Sequence, residues 1–374
     1  MHKRMELALE ALEAGGGLRH LPSLQGVGKP LVNLASNDYL GLASNASLQQ
    51  EFLRTLEDEP PLFSASSSRL LTGNVPAYEA LETTLARLFG TQSALVFNSG
   101  YHMNVGILPA LCTDKTLILA DKLVHASLID GIRLSKGKFL RYAHNDLNHL
   151  ETLLRAHHDA YEHVIVVTES IFSMDGDEAD LKGLVALKHR YEKVMLYVDE
   201  AHGVGVRGES GLGCAQGCGC MGEIDILAGT FGKALASVGG YIACSALMRE
   251  FLVNHMRTLI FTTALPPINL LWSAFVLERL SGFEKERAQL AKVSVLLREG
   301  LVQKGYAHPS SSHIIPFMVG ENTPTLEKAR VLQSLGFHAL PVRPPTVPKG
   351  TSRIRFSLTA LVEEAHIGAI LDVL

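Results

Sequence analysis

Seven short apolar runs, most of them ending in polar residues, alternate along this chain with stretches whose apolar positions recur every three or four residues. The runs are Ser93 to Asn98, Thr116 to Asp121, Lys138 to Tyr142, Val164 to Glu169, Val194 to Asp199, Ile224 to Gly229 and Gly240 to Ala243. Four to seven apolar residues without polar alternation suit strands buried on both faces, as in a parallel sheet. Between them, Ala77 to Phe89, Val124 to Leu134, Leu147 to His158 and Asp180 to Tyr191 carry the helical period. Strands and helices in alternation predict an α/β fold, a mostly parallel seven-stranded sheet covered by helices on both faces.

The chain's 374 residues exceed what one hydrophobic core organises, so more than one domain is expected. An amphipathic helix from Arg4 to Ala14, stopped by Gly15-Gly16-Gly17, and a short strand within Leu31 to Ala35 form an arm over residues 1–45. Residues 46–268 hold the large domain. Past Leu265-Pro266-Pro267 the pattern changes: a long helix from Asn269 to about Lys304, then short strands and helices, give a smaller α+β domain over 269–374.

Charge excludes several partners. Lys and Arg number 34 against 38 Asp and Glu, a net charge of −4, so no basic field exists to grip nucleic acid or an anionic membrane. No apolar run approaches the ~20 residues of a membrane span, and Met1 to Glu13 is charged where a signal peptide is apolar, so a cytoplasmic location is expected. Five cysteines fit reduced thiols better than a disulfide framework. Cys214, Cys218 and Cys220 crowd one Gly-rich stretch but lack a fourth ligand at zinc spacing, and no metal site is expected.

In an open parallel sheet, ligands bind at the carboxyl ends of the strands. Those ends carry Asn98-Ser99-Gly100-Tyr101-His102, Asp121 through His125, Thr168-Glu169-Ser170 through Asp177, and Asp199-Glu200-Ala201-His202. A fifth, Gly229-Thr230-Phe231-Gly232-Lys233-Ala234, sets a lysine among small residues that leave room for a bulky group on its amine. A P-loop fails here because Ala234 stands where Ser or Thr is required. Gly203-Val204-Gly205-Val206-Arg207-Gly208 spells a dinucleotide spacing, yet no helical period follows it. Pyridoxal phosphate accounts for more of these residues at once: it needs a lysine, a carboxylate for its ring nitrogen, and donors for its phosphate and ring hydroxyl. Singly, Asp199, His125, His202 and Lys233 are as compatible with capping, core or surface roles. Together they supply complementary groups from separate strand ends.

Asn37-Asp38-Tyr39-Leu40-Gly41-Leu42, Asn98 through Asn104, His125-Ala126-Ser127, Phe172 through Asp177, Asp199 through Gly203 and Thr230-Phe231-Gly232-Lys233 resemble, in this order and spacing, the α-oxoamine synthase family, over about Leu31 to Ala360. The resemblance implies a fold type I pyridoxal-phosphate transferase of the aspartate aminotransferase-like kind. It also implies a homodimer with active sites at the subunit interface. Lys233 would carry the cofactor and act as base at the substrate α-carbon, Asp199 would hold the ring nitrogen, His202 the ring hydroxyl, and His125 would stack on the ring. Ser173 and Thr230 would assist around ring and phosphate, the Gly100 and Tyr101 amides would cradle the phosphate on a helix N-terminus, and Thr263 would reach in from the neighbouring subunit. Asn37 would help at the substrate, and Arg355 would grip the amino-acid carboxylate bidentately. Arg353, which shares a strand face with Arg355, reads as an ordinary ion pair, and Glu200 as structural.

Members of this family differ in amino acid and acyl thioester. The proline-rich stretch Val342-Arg343-Pro344-Pro345-Thr346-Val347-Pro348 resembles the branch that joins L-alanine to a pimeloyl thioester, carried on coenzyme A or an acyl carrier protein, in biotin biosynthesis. Arg19 and Arg343 are candidates for the pimeloyl end. Glycine C-acetyltransferase is the neighbouring alternative, and a catalytically silent partner subunit is the alternative of another class. Ser64-Ala65-Ser66-Ser67-Ser68-Arg69 departs from the Gly-rich run usual in the family, which bears on thioester contacts or loop stiffness.

Overall fold

A computed structural model describes residues 1–19, 21, 32–58 and 60–374, and the chain divides into two compact units. The larger comprises Asp38–Phe172 and Glu178–Arg287; the smaller comprises Met1–Asn37, Ser173–Asp177 and Ala288–Leu374.

The larger unit is built on a seven-stranded sheet: β1 (Ser93–Phe97), β2 (Thr116–Asp121), β3 (Lys138–Tyr142), β4 (His163–Glu169), β5 (Val194–Asp199), β6 (Ile226–Thr230) and β7 (Gly240–Cys244), in the order β1-β7-β6-β5-β4-β2-β3. All neighbours run parallel except β7, which is antiparallel to β1 and β6. Strand β2 is buried at every position, as its unbroken apolar run demands. Helix α1 (Pro76–Phe89) begins with proline at its first turn and ends on Gly90 at φ 65°, the left-handed stop only glycine adopts freely.

Two further helices follow directly from strand ends. Helix α2 (Gly100–Leu111) is capped by Ser99, whose Oγ accepts from the His102 amide at 3.1 Å; α3 (Ala126–Leu134) is capped by His125. Met103 and Ile107 of α2 and Leu128 of α3 pack with Ile165, Val167 and Tyr197 of the sheet in one core. The two helices approach closely because Gly131 has no side chain: a Cβ there would stand 2.3 Å from the Asn104 carbonyl oxygen.

The smaller unit holds an antiparallel sheet of β8 (Ile314–Gly320), β9 (Pro341–Val342) and β10 (Ser352–Ser357) in the order β9-β10-β8. The arm belongs here, since Val32–Asn33 pairs in parallel with Phe337–His338; Leu31 lies outside the described residues. Two expectations are redrawn. The helix read from Asn269 to about Lys304 is two helices, Pro267–Glu278 and Glu284–Gln303, interrupted by the 3-10 turn Leu280–Gly282. Gly282 and its neighbours break the run where Arg287 caps the carbonyls of Leu280 and Ser281, at 2.7 and 2.9 Å. The division between units consequently falls at Arg287, not Ile268, and residues 1–37 group with the C-terminal part.

Gly131→Ala should therefore destabilise the protein by about 1–3 kcal/mol, the usual cost of overpacking. Thermal melting checks this; an unchanged midpoint would show that α2 and α3 are free to separate.

Candidate active site

The carboxyl ends of β4, β5 and β6 and the first turn of α2 enclose a cavity of about 160 Å³. Gly100, Tyr101, His125, Asp199, His202, Thr230 and Lys233 line it, with Asn104, Ser127, Glu169 and Ala201. Seven of the residues named from the sequence thus meet in one place.

Asp199 ends β5 and is buried. Burying a carboxylate is costly without donors, and both oxygens have one: Oδ2 accepts from Asn104 Nδ2 at 2.8 Å and Oδ1 from the Ala201 amide at 2.9 Å. Asn104 is fixed in turn. Its Oδ1 accepts from the Tyr197 hydroxyl at 2.7 Å and its Nδ2 also donates to Ser127 Oγ at 2.9 Å. Ser127 Oγ lies 2.8 Å from His125 Nδ1, so one chain of contacts runs from β5 through α2 to His125. Although His125 is exposed toward the cavity, protein surrounds it closely, and desolvation holds its imidazole below its ordinary pKa. The charge of Asp199 opposes this shift, while Lys233 adds to it.

Lys233 Nζ is 2.7 Å from His202 Nε2, and His202 Nδ1 is 2.6 Å from the Tyr39 hydroxyl. An ammonium can only donate, so with Lys233 charged Nε2 accepts and the ring proton sits on Nδ1, facing Tyr39 oxygen. Thr230 Oγ1 donates to the Gly239 carbonyl at 2.8 Å and accepts from the Gly232 amide at 3.1 Å, fixing the turn that carries Lys233.

Glu169 stands beside Asp199 in register on the adjacent strand, is 3% exposed, and its Oε1 has no hydrogen-bond partner. Desolvation first, then the charge of Asp199, pushes its carboxyl up to about 8, against the opposing pull of Lys233 and the His125 amide. Of the two carboxyls, Asp199 has a donor on each oxygen, whereas Glu169 leaves Oε1 unserved. Glu200 is buried as well, but Ser170 Oγ at 2.5 Å and the amides of Cys214 and Ala215 at 3.1 and 2.7 Å satisfy it, which fits a structural residue.

The donor set suits pyridoxal phosphate: one lysine, one anchored carboxylate, two imidazoles, and a helix N-terminus. His102 and Met103 of α2 have acceptors in Ser99, whereas the amides of Gly100 and Tyr101 hold the first-turn positions from which a helix N-terminus can receive an anion.

The remaining predicted residues lie elsewhere. Thr263 is in the larger unit, its carbonyl accepting from Asn98 Nδ2 at 2.5 Å. Asn37, Ser173, Arg355, Arg19 and Arg343 belong to the smaller unit. There Arg355 Nε donates to the Ser173 carbonyl at 2.5 Å, and Arg353 pairs with Asp175. Arg19 donates to Thr346 Oγ1 at 2.7 Å, while Arg343 donates to the carbonyls of Gly16 and Leu18. Burial, and then the cation of Arg19, lowers the pKa of Arg343. Ser64 and Ser66 of the serine-rich loop bond to each other at 3.0 Å, and Arg69 is locked to Glu82 at 2.6 Å.

Sequence reasoning gave no role to Tyr39, Asn104, Ser127, Glu169 or Tyr197. Asn104 left a trace, as an amide among the buried Met103, Ile107 and Leu108 of α2.

Residues 29–374 match the family described as aminotransferase class I and II. An 8-amino-7-oxononanoate synthase of Haemophilus ducreyi is 53% identical over 367 residues, spanning 94% of this chain and 95% of its own length. A serine palmitoyltransferase from S. paucimobilis, solved with a bound PLP–myriocin aldimine, superposes with a TM-score of 0.89 at 26% identity, covering 99% of this chain and 95% of that one. An 8-amino-7-oxononanoate synthase from Francisella tularensis gives 0.76 at 26% identity, covering 92% and 96%.

Glu169 supplies a pH test. Its folded pKa, about 8, exceeds the ordinary 4.5, so between those values the folded state holds a proton that the unfolded state has lost, and stability falls as pH rises through that window. Glu169→Gln should flatten this fall between about pH 5.5 and 8.5 in urea unfolding; an identical slope in variant and wild type would remove Glu169 as its source.

Proposed function

Because the chain belongs to the aminotransferase class I and II family, in its α-oxoamine synthase branch, we propose that it joins L-alanine to a pimeloyl thioester with loss of carbon dioxide, giving 8-amino-7-oxononanoate for biotin synthesis. The carrying observation is the cavity lined jointly by Lys233, Asp199, His202 and His125 in a chain 53% identical to a synthase of that name. The enzyme is an acyltransferase, acts on small molecules and uses pyridoxal phosphate, which when bound draws off the electron pair left on the substrate α-carbon.

The chain's own residues do the rest. Lys233 would hold the cofactor and would take the substrate α-proton; His202, 2.7 Å from its amine, orients it. Asp199, fixed by Asn104 and Ala201, would serve the cofactor's ring nitrogen. His125 would stack on the ring, and His202 would serve its hydroxyl. The Gly100 and Tyr101 amides, with Thr230 and Ser173, receive the phosphate and ring substituents. Arg355 would grip the amino-acid carboxylate, and Asn37 would help at the substrate. In net terms the α-carbon loses a proton, bonds to the acyl carbon as the C–S bond breaks and thiol leaves, sheds its carboxylate as carbon dioxide, and regains a proton.

Arg19 and Arg343 favour pimeloyl over shorter acyl groups. Two cations, with Arg343 lowered in basicity by burial first and then by the charge of Arg19, suit a distal carboxylate that acetyl lacks. A homodimer in the cytoplasm, with Thr263 reaching the partner's site and the acyl group carried on coenzyme A or an acyl carrier protein, completes the reading.

Assay of L-alanine and glycine against pimeloyl-, acetyl- and succinyl-coenzyme A and pimeloyl-acyl carrier protein tests it. Alanine with a pimeloyl thioester should be turned over fastest; a preference for glycine and acetyl would make the chain a glycine C-acetyltransferase, and no turnover at all a silent subunit. Arg343→Ala should raise KM for pimeloyl-coenzyme A roughly tenfold to a hundredfold, the worth of a charged hydrogen bond, with kcat little changed; an unaltered KM would release Arg343 from that role. Lys233→Ala should bind the cofactor yet show no synthase turnover, and residual turnover near the wild-type rate would refute Lys233 as the base.

A further inference from the structure

The loop after β5 gathers three of the five cysteines, none of which the proposed reaction uses. Cys214 opens the short helix Cys214–Gly217, and Cys218 and Cys220 flank Gly219, whose φ of 70° turns the backbone so that both side chains fall on one side. Their sulfurs stand 2.9 Å apart. A disulfide brings two sulfurs to about 2.05 Å, so less than one ångström of closure separates this pair from a covalent bond.

The two thiols are not equivalent. Cys218 is half-buried and lines a cavity of about 430 Å³ with Glu178, Lys182 and Arg207, whereas Cys220 is buried behind it. Burial first, and then the bond to the Cys218 sulfur, pushes the Cys220 thiol up to about 12. Cys218 Sγ also lies 3.6 Å from the Ala215 carbonyl, which positions it in the cavity wall. A zinc site would use the same sulfurs, but it needs four ligands, and among the described residues no group of three or more metal-binding side chains exists.

We propose that Cys218 and Cys220 are a modification site, a thiol pair that a hydroperoxide oxidises to an intrachain disulfide. Cys218, as thiolate, attacks the O–O bond of hydrogen peroxide; that bond breaks, Cys218 becomes a sulfenic acid, and hydroxide leaves to take up a proton as water. Cys220 sulfur then attacks Cys218 sulfur, the S–S bond forms, the S–O bond breaks, and the Cys220 proton leaves with the hydroxyl as a second water. One peroxide is reduced, and two thiols are oxidised. Of the two, Cys218 is the attacking sulfur because it lines the cavity, which Cys214 also lines without a contact to another sulfur among the described residues; Cys220, buried and 2.9 Å away, is the resolving one. Cys112 and Cys244, outside this loop, are packed in the hydrophobic core.

The test treats the full-length holoenzyme with stoichiometric hydrogen peroxide, alkylates and denatures it, then counts thiols and maps peptides. Two of the five alkylatable cysteines should disappear, the peptide spanning 214–220 should carry no alkyl group on Cys218 or Cys220 and be lighter by about 2 Da than with those two as free thiols, and dithiothreitol should restore both. Cys220→Ser should instead accumulate a dimedone-trappable sulfenic acid at Cys218, and Cys218→Ser should lose no thiol. Retention of all five thiols, a disulfide to any other cysteine, or passage of Cys218 to sulfinic acid with Cys220 still alkylatable would each overturn the proposal.

Discussion

The anchoring of Asp199 is the constraint around which the larger unit is arranged. A carboxylate at the end of a buried strand needs donors, and they come from α2 through Asn104 and from the turn that leads to His202 through the Ala201 amide. For Asn104 to reach it, α2 must lie against the strand ends, which requires α3 to pack against α2 at Gly131. The same contact continues through Ser127 to His125. Position of the helices, identity of the anchor and orientation of the imidazole are thus one arrangement.

Charge is distributed unevenly within that arrangement. Asp199 has a donor on each oxygen, whereas Glu169, its in-register neighbour, leaves Oε1 unserved, and burial, then the charge of Asp199, pushes its carboxyl up to about 8. Lys233, His202 and Tyr39 form one chain of short contacts, of which Lys233 and His202 line the cavity. A carboxylate on one strand end and a lysine past another match a ligand with a protonatable nitrogen and a carbonyl.

Much of this was legible in the sequence because it follows from local pattern. The seven apolar runs became the seven strands with ends shifted by two residues at most, since burial on both faces leaves little freedom in such runs. Lys233, Asp199, His125 and His202 were readable because they sit just past strand ends, where a parallel sheet presents ligand groups. Residues that act through tertiary placement were not. Nothing local marks Glu169 as orphaned, or Tyr39 as reaching His202 across 163 positions of sequence. The break at Leu280–Gly282 escaped notice because apolar residues on both sides continue the helical period through it. The grouping of residues 1–37 with the C-terminal part includes a two-residue strand, Val32–Asn33, too short to signal its partner, and contacts such as Arg19 to Thr346 that only tertiary placement creates.

The central claim is that Lys233, among this chain's lysines, carries the cofactor. Its most direct test is borohydride reduction of the purified yellow protein, which converts a lysine–carbonyl condensate to a stable amine, followed by proteolysis and mass mapping. The account predicts a single pyridoxyl-phosphate label, on the peptide containing Lys233. A label on a different lysine, or a protein that takes up pyridoxal phosphate without becoming labelled at all, would contradict it.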